Sequence, residues 1–361
     1  MIDNPFLLED SAVRSLNRAR IVELGGVAAP EGVLGATGYE LLSAASLGQQ
    51  IAAAADRLGL DPAQPELIRR FDACFGHSQA RPHALAIARD YGRRLGCLLL
   101  MLARGAPANR AARHEWAEAH WAFWRAQRRV VLGGGLLAGQ LGAHAVAAAQ
   151  ELLAEAGETG LAAERARFGA YMPLVGLARA VPPGCRNALM FDFGQTAVKC
   201  GLATYQAGQL GQLSLWHDAP SVCDERFAEE ARERWERMAA LIGEGWQALP
   251  GALRPHTAIG IALACYLFGG QPSPRDRGCY GALGRLAPNL AEFVAGELAR
   301  RLGQAVPVVL LHDGAAAAMA YAGAERAVVI TLGTAIGNGF PPAAGAAWPL
   351  APGFALAEQI A

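Results

Sequence analysis

Apolar positions in the first half of the chain recur at helical spacing. Leu41, Leu42, Ala45, Ile51 and Ala55 fall mostly three to six apart and predict a helix over 39–58. Leu85, Ile87, Ala88, Leu95, Leu98, Leu99 and Leu102 predict a longer one over 83–104, stopped by Gly105 and Pro107. Glu66–Phe75 reads as a short helix between them. Val130–Leu132 is a short apolar strand that turns at Gly133–Gly135 into a helix running to Ala156. Leu161–Ala180 reads as largely helical with a break at Pro173, and Pro182-Pro183-Gly184 interrupts the chain. Residues 1–36 show no clean period; Val13–Ile21 fits a short helix and Gly25–Gly38 a surface segment.

Beyond residue 186 the pattern changes to strands alternating with helices. An apolar run from Ala188 to Asp192, a turn at Gly194–Gln195 and a second run from Ala197 predict a β-hairpin. Leu210–Trp216, Thr257–Ala264, Val306–Leu311 and Ala327–Leu332 are strand-like, and Gly269–Gly281 is a loop. Asp224–Ala248, Leu290–Leu302 and Ala315–Tyr321 are helical. This alternation predicts an α/β protein of two similar lobes.

Composition narrows the classes. The 361 residues carry 32 basic and 32 acidic side chains, a formal net charge of zero. That is no electrostatic footprint for nucleic acid. The two long uncharged runs, Val130–Gln150 and Ala327–Ala357, are broken by glycine, so neither reads as a membrane span. No signal peptide is evident at the acidic N-terminus. Seven cysteines, at 74, 97, 185, 200, 223, 265 and 279, are scattered without metal spacing. They read as reduced thiols of a cytoplasmic protein, mostly small buried apolar residues. The aromatic stripe Trp116, Trp121, Phe123 and Trp124 serves either as lobe core or as the contact of a homodimer.

Two turns carry candidate chemistry. In Asp192-Phe-Gly-Gln-Thr196, Gly194 has no Cβ to keep an anion from the backbone. The turn N–H groups of Gly194 and Gln195, with the Thr196 hydroxyl, can donate to phosphate oxygens. Asp192, at the strand end, is placed to hold a Mg²⁺ water, and Lys199 either adds positive charge or points to solvent. The same residues also suit an ordinary hairpin with a capping Asp. Gly133-Gly134-Gly135 lets a nucleotide lie against bare backbone at a helix N-terminus, or makes a tight strand–helix connection.

Taken from residue 184, the chain resembles the ROK family of repressors and sugar kinases, members of the actin-like ATPase superfamily. Asp192–Thr196 resembles its first phosphate loop and Ile259-Gly260-Ile261 the strand before its Pro-Gly turn. Ala287-Pro288-Asn289-Leu290 resembles its sugar-side Asn segment. Leu302–Val308 followed by His312-Asp313-Gly314 resembles the strand and helix that carry its catalytic Asp. Leu332–Gly337 resembles its second phosphate loop. The family's remaining parts resemble segments at the front: Glu40–Gly48, Ala84–Leu102, the adenosine turn Val130–Gly135, and a closing helix from Phe168 to Ala178. The resemblance therefore implies a circularly permuted, two-lobed actin-like ATPase (ribonuclease H-like) fold. The family order would be 181–361 followed by 1–180. It implies a larger, nucleotide-binding lobe of 1–160 with 313–361, and a smaller one of 161–312.

The resemblance also implies an activity. ATP with Mg²⁺ would lie between the lobes, its phosphates on Gly194, Gln195, Thr196, Lys199, Gly333, Thr334 and Gly337 and its adenosine beside Gly133–Gly135. Asp192 would organise Mg²⁺ through water. Asp313 would act as general base on a hydroxyl of a sugar or sugar-like substrate held by Asn289, His312 and Glu358. Several residues depart from the family pattern. His312 replaces an Asn, Gly314-Ala315 an Ala-Asn, and Ala335 a Gly. The Pro-Gly turn is Ala264-Cys265 or lost, the Glu-x-Gly-His motif is not intact, and Glu40 is two residues off the substrate Glu. The zinc motif is absent, so no structural zinc is expected. These departures suit an alternative, a catalytically inactive nucleotide- or sugar-binding pseudokinase that serves as a sensor or assembly partner. A ROK-type repressor is disfavoured by the lack of a winged-helix segment and a basic face.

Overall fold

The computed structural model describes residues 4–7, 11–223, 231–274 and 278–358. It is a mixed α/β protein. In chain order the strands are β1 (Arg129–Gly133), β2 (Ala162–Arg165), β3 (Asn187–Phe193), β4 (Ala197–Gln206), β5 (Gln209–Leu215), β6 (Ala219–Pro220), β7 (Thr257–Leu263), β8 (Leu267–Phe268), β9 (Gln271–Pro272), β10 (Val308–His312), β11 (Ala327–Leu332), β12 (Ile336–Gly339) and β13 (Leu350–Glu358). The α-helices are α1 (Gly38–Leu42), α2 (Ala44–Ala53), α3 (Ala55–Leu58), α4 (Leu67–Phe71), α5 (Arg81–Arg104), α6 (Pro107–Ala112), α7 (Glu118–Ala126), α8 (Gln140–Glu155), α9 (Met172–Ala180), α10 (Ala231–Ala248), α11 (Leu290–Leu302) and α12 (Asp313–Met319). No helix among the described residues is long and apolar enough to cross a membrane.

The chain divides into two compact units. Among the described residues one comprises 4–7, Val13–Ala170 and Arg326–Asn338, the other 11–12, Tyr171–Glu325 and 339–358. The first unit is built on a four-stranded sheet of order β12-β11-β1-β2, in which β1 pairs parallel with β11 and β2. Its Trp-rich segment is core: Trp116, Trp121, Phe123 and Trp124 are buried, and Phe6 packs edge-on against Trp116, Phe123 and Trp124.

Distant side chains, not local periodicity, fix the opening segment of this unit. The buried Arg113 guanidinium donates to the Val13 and Ser15 carbonyls, and Trp116 Nε1 also donates to Val13. Asn109 pairs with the backbone of Val22 and Glu23. These bonds give buried peptide groups the partners a helix would otherwise supply. The expected short helix over Val13–Ile21 is instead two 3₁₀ turns, Ser11–Arg14 and Leu16–Arg18.

Other expectations change for equally local reasons. The helix expected over 39–58 breaks into α1, α2 and α3. Ser43 turns extended and accepts the Ser46 N–H as the cap of α2, and Ala54, at φ −110° and ψ 8°, leaves the helical conformation between α2 and α3. Leu161–Ala180 is not one broken helix. Ala162–Arg165 pairs with β1 as an edge strand, with Arg129 and Glu164 in an ion pair across it, so tertiary pairing overrides the helical preference of Ala and Glu. Pro173 sits in the first turn of α9, where its missing N–H is harmless. The helix expected over 224–248 is described from Ala231; its first seven positions lie outside the described residues.

The second unit is built on a seven-stranded sheet with β10-β7-β3-β4-β5-β13 in order and β6 paired to β4. β10, β7 and β3 run parallel, and β4 runs antiparallel to β3. β3 and β7 are buried at every residue, as strands covered on both faces must be. Leu189, Phe191 and Phe193 share one face with Trp235, Met238, Ile242 and Trp246 of α10 and Leu290, Val294 and Leu298 of α11. Met190 points the other way, beside Gly260 and Leu177 of α9. By the two-residue period Asp192 belongs to this second face.

Cys223 and Cys279, 56 residues apart, form a disulfide in this unit. This corrects the reading of all seven cysteines as reduced thiols; Cys74, Cys97, Cys185, Cys200 and Cys265 are not disulfide-bonded, and burial raises the pKa of Cys74, Cys97, Cys185 and Cys200. No spacing rule could pair residues so far apart.

α9 and α12 lie in close backbone contact, and Gly176 makes that possible. A Cβ at Gly176 would overlap the Ala316 carbonyl oxygen. Gly176→Ala is therefore expected to force the two helices apart and cost about 1–3 kcal/mol, as overpacking does. A urea unfolding curve checks this; an unchanged midpoint would mean that α12 is not held by this contact.

Candidate functional site

In the second unit the carboxyl ends of β3, β7 and β10 meet at one sheet edge, where open parallel sheets bind ligands. Asp192, at the end of β3, stands directly opposite Lys199 of β4. Lys199 Nζ lies 3.1 Å from Asp192 Oδ2. The hairpin register thus turns Lys199 onto Asp192 and away from the alternative of a solvent-pointing lysine. Asp192 is 4 % exposed. Burial pushes its carboxyl up; Lys199 opposes this, and the charges of Asp313 and Asp218 add to it. The Lys199 ammonium is held above its ordinary value, chiefly by Asp192.

This pair makes a pH-dependent prediction. Lys199→Met removes the counter-charge, so the Asp192 carboxyl rises further and the folded state prefers its protonated form. A carboxyl raised on folding stabilises below its unfolded value and loses that contribution as pH climbs through the folded value. The variant's deficit should therefore be small near pH 4 and widen by up to about 1.4 kcal/mol per pH unit until Asp192 ionises. Urea unfolding of both proteins across pH 4–8 measures it; a constant difference would contradict the pairing.

The turn after β3 is tightly built. The Gly194 N–H donates to the Asp192 and Ala197 carbonyls, and a Cβ at Gly194 would meet the Ala197 oxygen at 2.8 Å. The missing Cβ serves this closure, and the Gly194 N–H is not an open donor. Gln195 and Thr196 follow it, with Thr196 exposed, and the N–H of neither makes a turn bond among the described residues. The Gly194 carbonyl is held from two sides, by Tyr280 OH at 2.9 Å and Ser221 Oγ at 3.4 Å. Burial pushes the Tyr280 phenol up, so it remains a donor. Neither anchor was visible in sequence. They lie 86 and 27 residues from Gly194, and the Cys223–Cys279 bond joins the segments that carry them.

β10 ends in His312, which caps α12: its Nδ1 accepts the Ala315 N–H. His312 Nε2 lies 2.9 Å from Asp313 Oδ1, and the Gly314 N–H donates to the same oxygen at 2.6 Å. Tyr266 stacks on the imidazole with ring centroids 4.6 Å apart. Among the described residues no hydrogen bond reaches Asp313 Oδ2, and the side chain is 28 % exposed. Burial works to raise the Asp313 carboxyl, but His312, the Gly314 N–H and Lys199 together hold it below its ordinary value.

Asn289 is occupied elsewhere. Its Oδ1 caps α11 by accepting the Ala291 and Glu292 N–H groups, and its Nδ2 donates to Glu292. Glu358 lies in β13 opposite Leu215, and its side chain is outside the described residues.

In the first unit, Gly133 and Thr331 are partners on the adjacent strands β1 and β11, so the two remaining glycine turns meet at one sheet edge. Gly134 adopts φ +94°, and a Cβ there would strike the Leu332 backbone. Gly135 faces open space. The turn does not open directly into α8, which starts at Gln140 with an Asp72 carboxylate accepting the Leu141 N–H. That carboxylate already complements the positive end of the helix. The Gly333 carbonyl accepts the Ala44 N–H of α2, Thr334 is exposed, and Gly337 is partly buried on β12.

Could this donor set hold Mg²⁺? Lys199 takes Asp192 Oδ2, and among the described residues no hydrogen bond reaches Oδ1. No cluster of three or more His, Cys, Asp or Glu able to cage a metal occurs among the described residues. One carboxylate fits Mg²⁺ that keeps its waters and shares phosphate oxygens, the usual arrangement for this ion. Compared with family models and with curated proteins, the chain matches neither.

Proposed function

We propose that the protein is an ATP-dependent phosphotransferase acting on a hydroxyl of a sugar or sugar-like small molecule. One observation carries this reading: a buried Asp192–Lys199 pair and an Asp313 carboxylate with Oδ2 open share the carboxyl edge of one sheet. The Gln195 and Thr196 N–H groups and Lys199 are the donors for phosphate oxygens. Mg²⁺ bound with ATP supplies neutralisation of phosphate charge, with Asp192 as the residue that holds one of its waters.

Asp313 Oδ2 accepts the proton of the substrate hydroxyl. The hydroxyl oxygen forms its bond to the γ-phosphorus, and the bond from that phosphorus to the bridging oxygen breaks with its electron pair leaving on ADP. A carboxyl held low is a weak base but is fully ionised at neutral pH, which suits a transition state in which little proton transfer is needed early. The Asn289 contact expected from the resemblance is not part of this proposal, because the N-cap engages that side chain.

The pseudokinase reading has its own support in the first unit. The Asp72 carboxylate at the start of α8 opposes a phosphate there, and Ala335 stands where the resembled loop has Gly. Calorimetric titration of Mg-ATP into wild type and Asp192→Asn, beside acceptor-dependent ADP release, separates the readings. Turnover with an acceptor supports the phosphotransferase. Tight Mg-ATP binding that Asp192→Asn weakens, with no turnover on any acceptor, supports the sensor.

A further inference from the structure

His312 is expected, by resemblance, to touch substrate. Its ring is instead committed on three sides. Nδ1 accepts the Ala315 N–H, Nε2 faces Asp313 Oδ1 at 2.9 Å, and the face stacks on Tyr266 at 4.6 Å. The residue is 4 % exposed. A ring nitrogen that accepts a backbone N–H carries no proton, so the proton of the neutral imidazole sits on Nε2 and is donated to Asp313.

We propose that His312 is a positioning residue that fixes which oxygen of Asp313 acts as the base. The Nε2–H and the Gly314 N–H both saturate Oδ1, so the carboxylate cannot rotate without losing two bonds. That leaves Oδ2 as the oxygen open to take the hydroxyl proton. The α12 cap sets the ring tautomer, the tautomer sets the carboxylate, and Tyr266 keeps the ring plane. This inference rests on the phosphotransferase reading for its kinetic consequence, but its geometry stands without it.

The two jobs of His312 separate by substitution. Serine is a good N-cap but, while accepting the Ala315 N–H, offers no donor in the place of Nε2. Asparagine caps with Oδ1 and has an amide N–H₂ to offer Asp313. His312→Ser keeps the cap but loses the stacking on Tyr266, so it is expected to lower the melting temperature less than His312→Ala does. It is expected to keep KM and to lower kcat about tenfold or more, within the ~10²–10⁴-fold span of a general base. His312→Asn is expected to recover kcat to within about threefold of wild type, by the donor it restores. His312→Ala loses the cap and the donor together, so the kcat difference between it and His312→Ser measures what the cap adds.

¹⁵N NMR of the histidine ring reads the same contact without turnover. Wild type should show a protonated Nε2 and an unprotonated Nδ1, with the Nε2–H signal displaced by Asp313→Asn. A His312→Ser protein with wild-type kcat, or a ring protonated at Nδ1, overturns the proposal. If no acceptor is phosphorylated at all, the phosphotransferase reading fails and the NMR arm decides alone. An Nε2–H that responds to Asp313→Asn then upholds the positioning contact, and one that does not removes it.

Discussion

Asp313→Asn is expected to lower kcat for acceptor-dependent ADP release by about 10²–10⁴-fold, the span a positioned general base supplies. The substitution keeps shape and an oxygen for the Gly314 N–H while removing the ability to take a proton. KM for the acceptor should change little, because the group acts in the transition state rather than in binding. α12 should remain in place, since its cap is His312 and its packing rests on the Gly176–Ala316 contact. Steady-state kinetics with a coupled ADP assay, beside a thermal melt, checks all three. A tenfold rise in KM at constant kcat would assign Asp313 to binding and remove it as the base.

Loss of the Cys223–Cys279 bond should have the second large effect, on stability. The bond closes a loop of 56 residues. Chain-entropy reasoning puts the stabilisation at about 4 kcal/mol, with native disulfides usually in the range of about 2–5 kcal/mol. The bond also joins the segments that carry Ser221 and Tyr280, the two donors to the Gly194 carbonyl. Reduction should therefore lower the urea midpoint and loosen the Gly194 turn first. Paired unfolding curves with and without a dithiol reductant give the stability change; hydrogen exchange at Gln195 and Thr196 gives the local one. Identical curves for the Cys223→Ser/Cys279→Ser protein would show that the bond adds no stability, and unchanged exchange at Gln195 and Thr196 that it does not hold the turn.

The parts of this account that sequence could supply are those with short-range signals. The Asp192–Lys199 hairpin is one. Two apolar runs around Gly194–Gln195 set the turn, and the turn sets the register that faces the two charges. α11 is another, with Leu290–Leu302 between Asn289 and Gly303, a side-chain cap and a left-handed stop. The same cap explains why Asn289 misleads. Its amide is an equally good substrate ligand and helix cap, and only the neighbouring backbone decides which.

What sequence could not supply depends on contacts far along the chain. Asn109 reaches Val22 and Glu23, Asp72 reaches α8, and Tyr280 reaches Gly194. Each satisfies a backbone group that local reading leaves open. Gly134 is a related case. Its glycine looks like room for a nucleotide, but the Leu332 backbone fills that room, whereas Gly135 faces open space. His312 read as a substituted sugar ligand because a histidine between strand and helix gives no sign of its tautomer. The cap fixes that tautomer, and the cap is visible only with the Ala315 N–H in place.

The most direct measurement is ADP release by the 361-residue chain with Mg-ATP and a panel of hexoses, amino sugars and cyclitols, wild type beside Asp313→Asn. The account predicts ADP release that requires one class of acceptor, yields a phosphorylated hydroxyl, and falls by two orders of magnitude or more in the variant. ADP release that is the same with and without every acceptor, or that Asp313→Asn leaves unchanged, would contradict it.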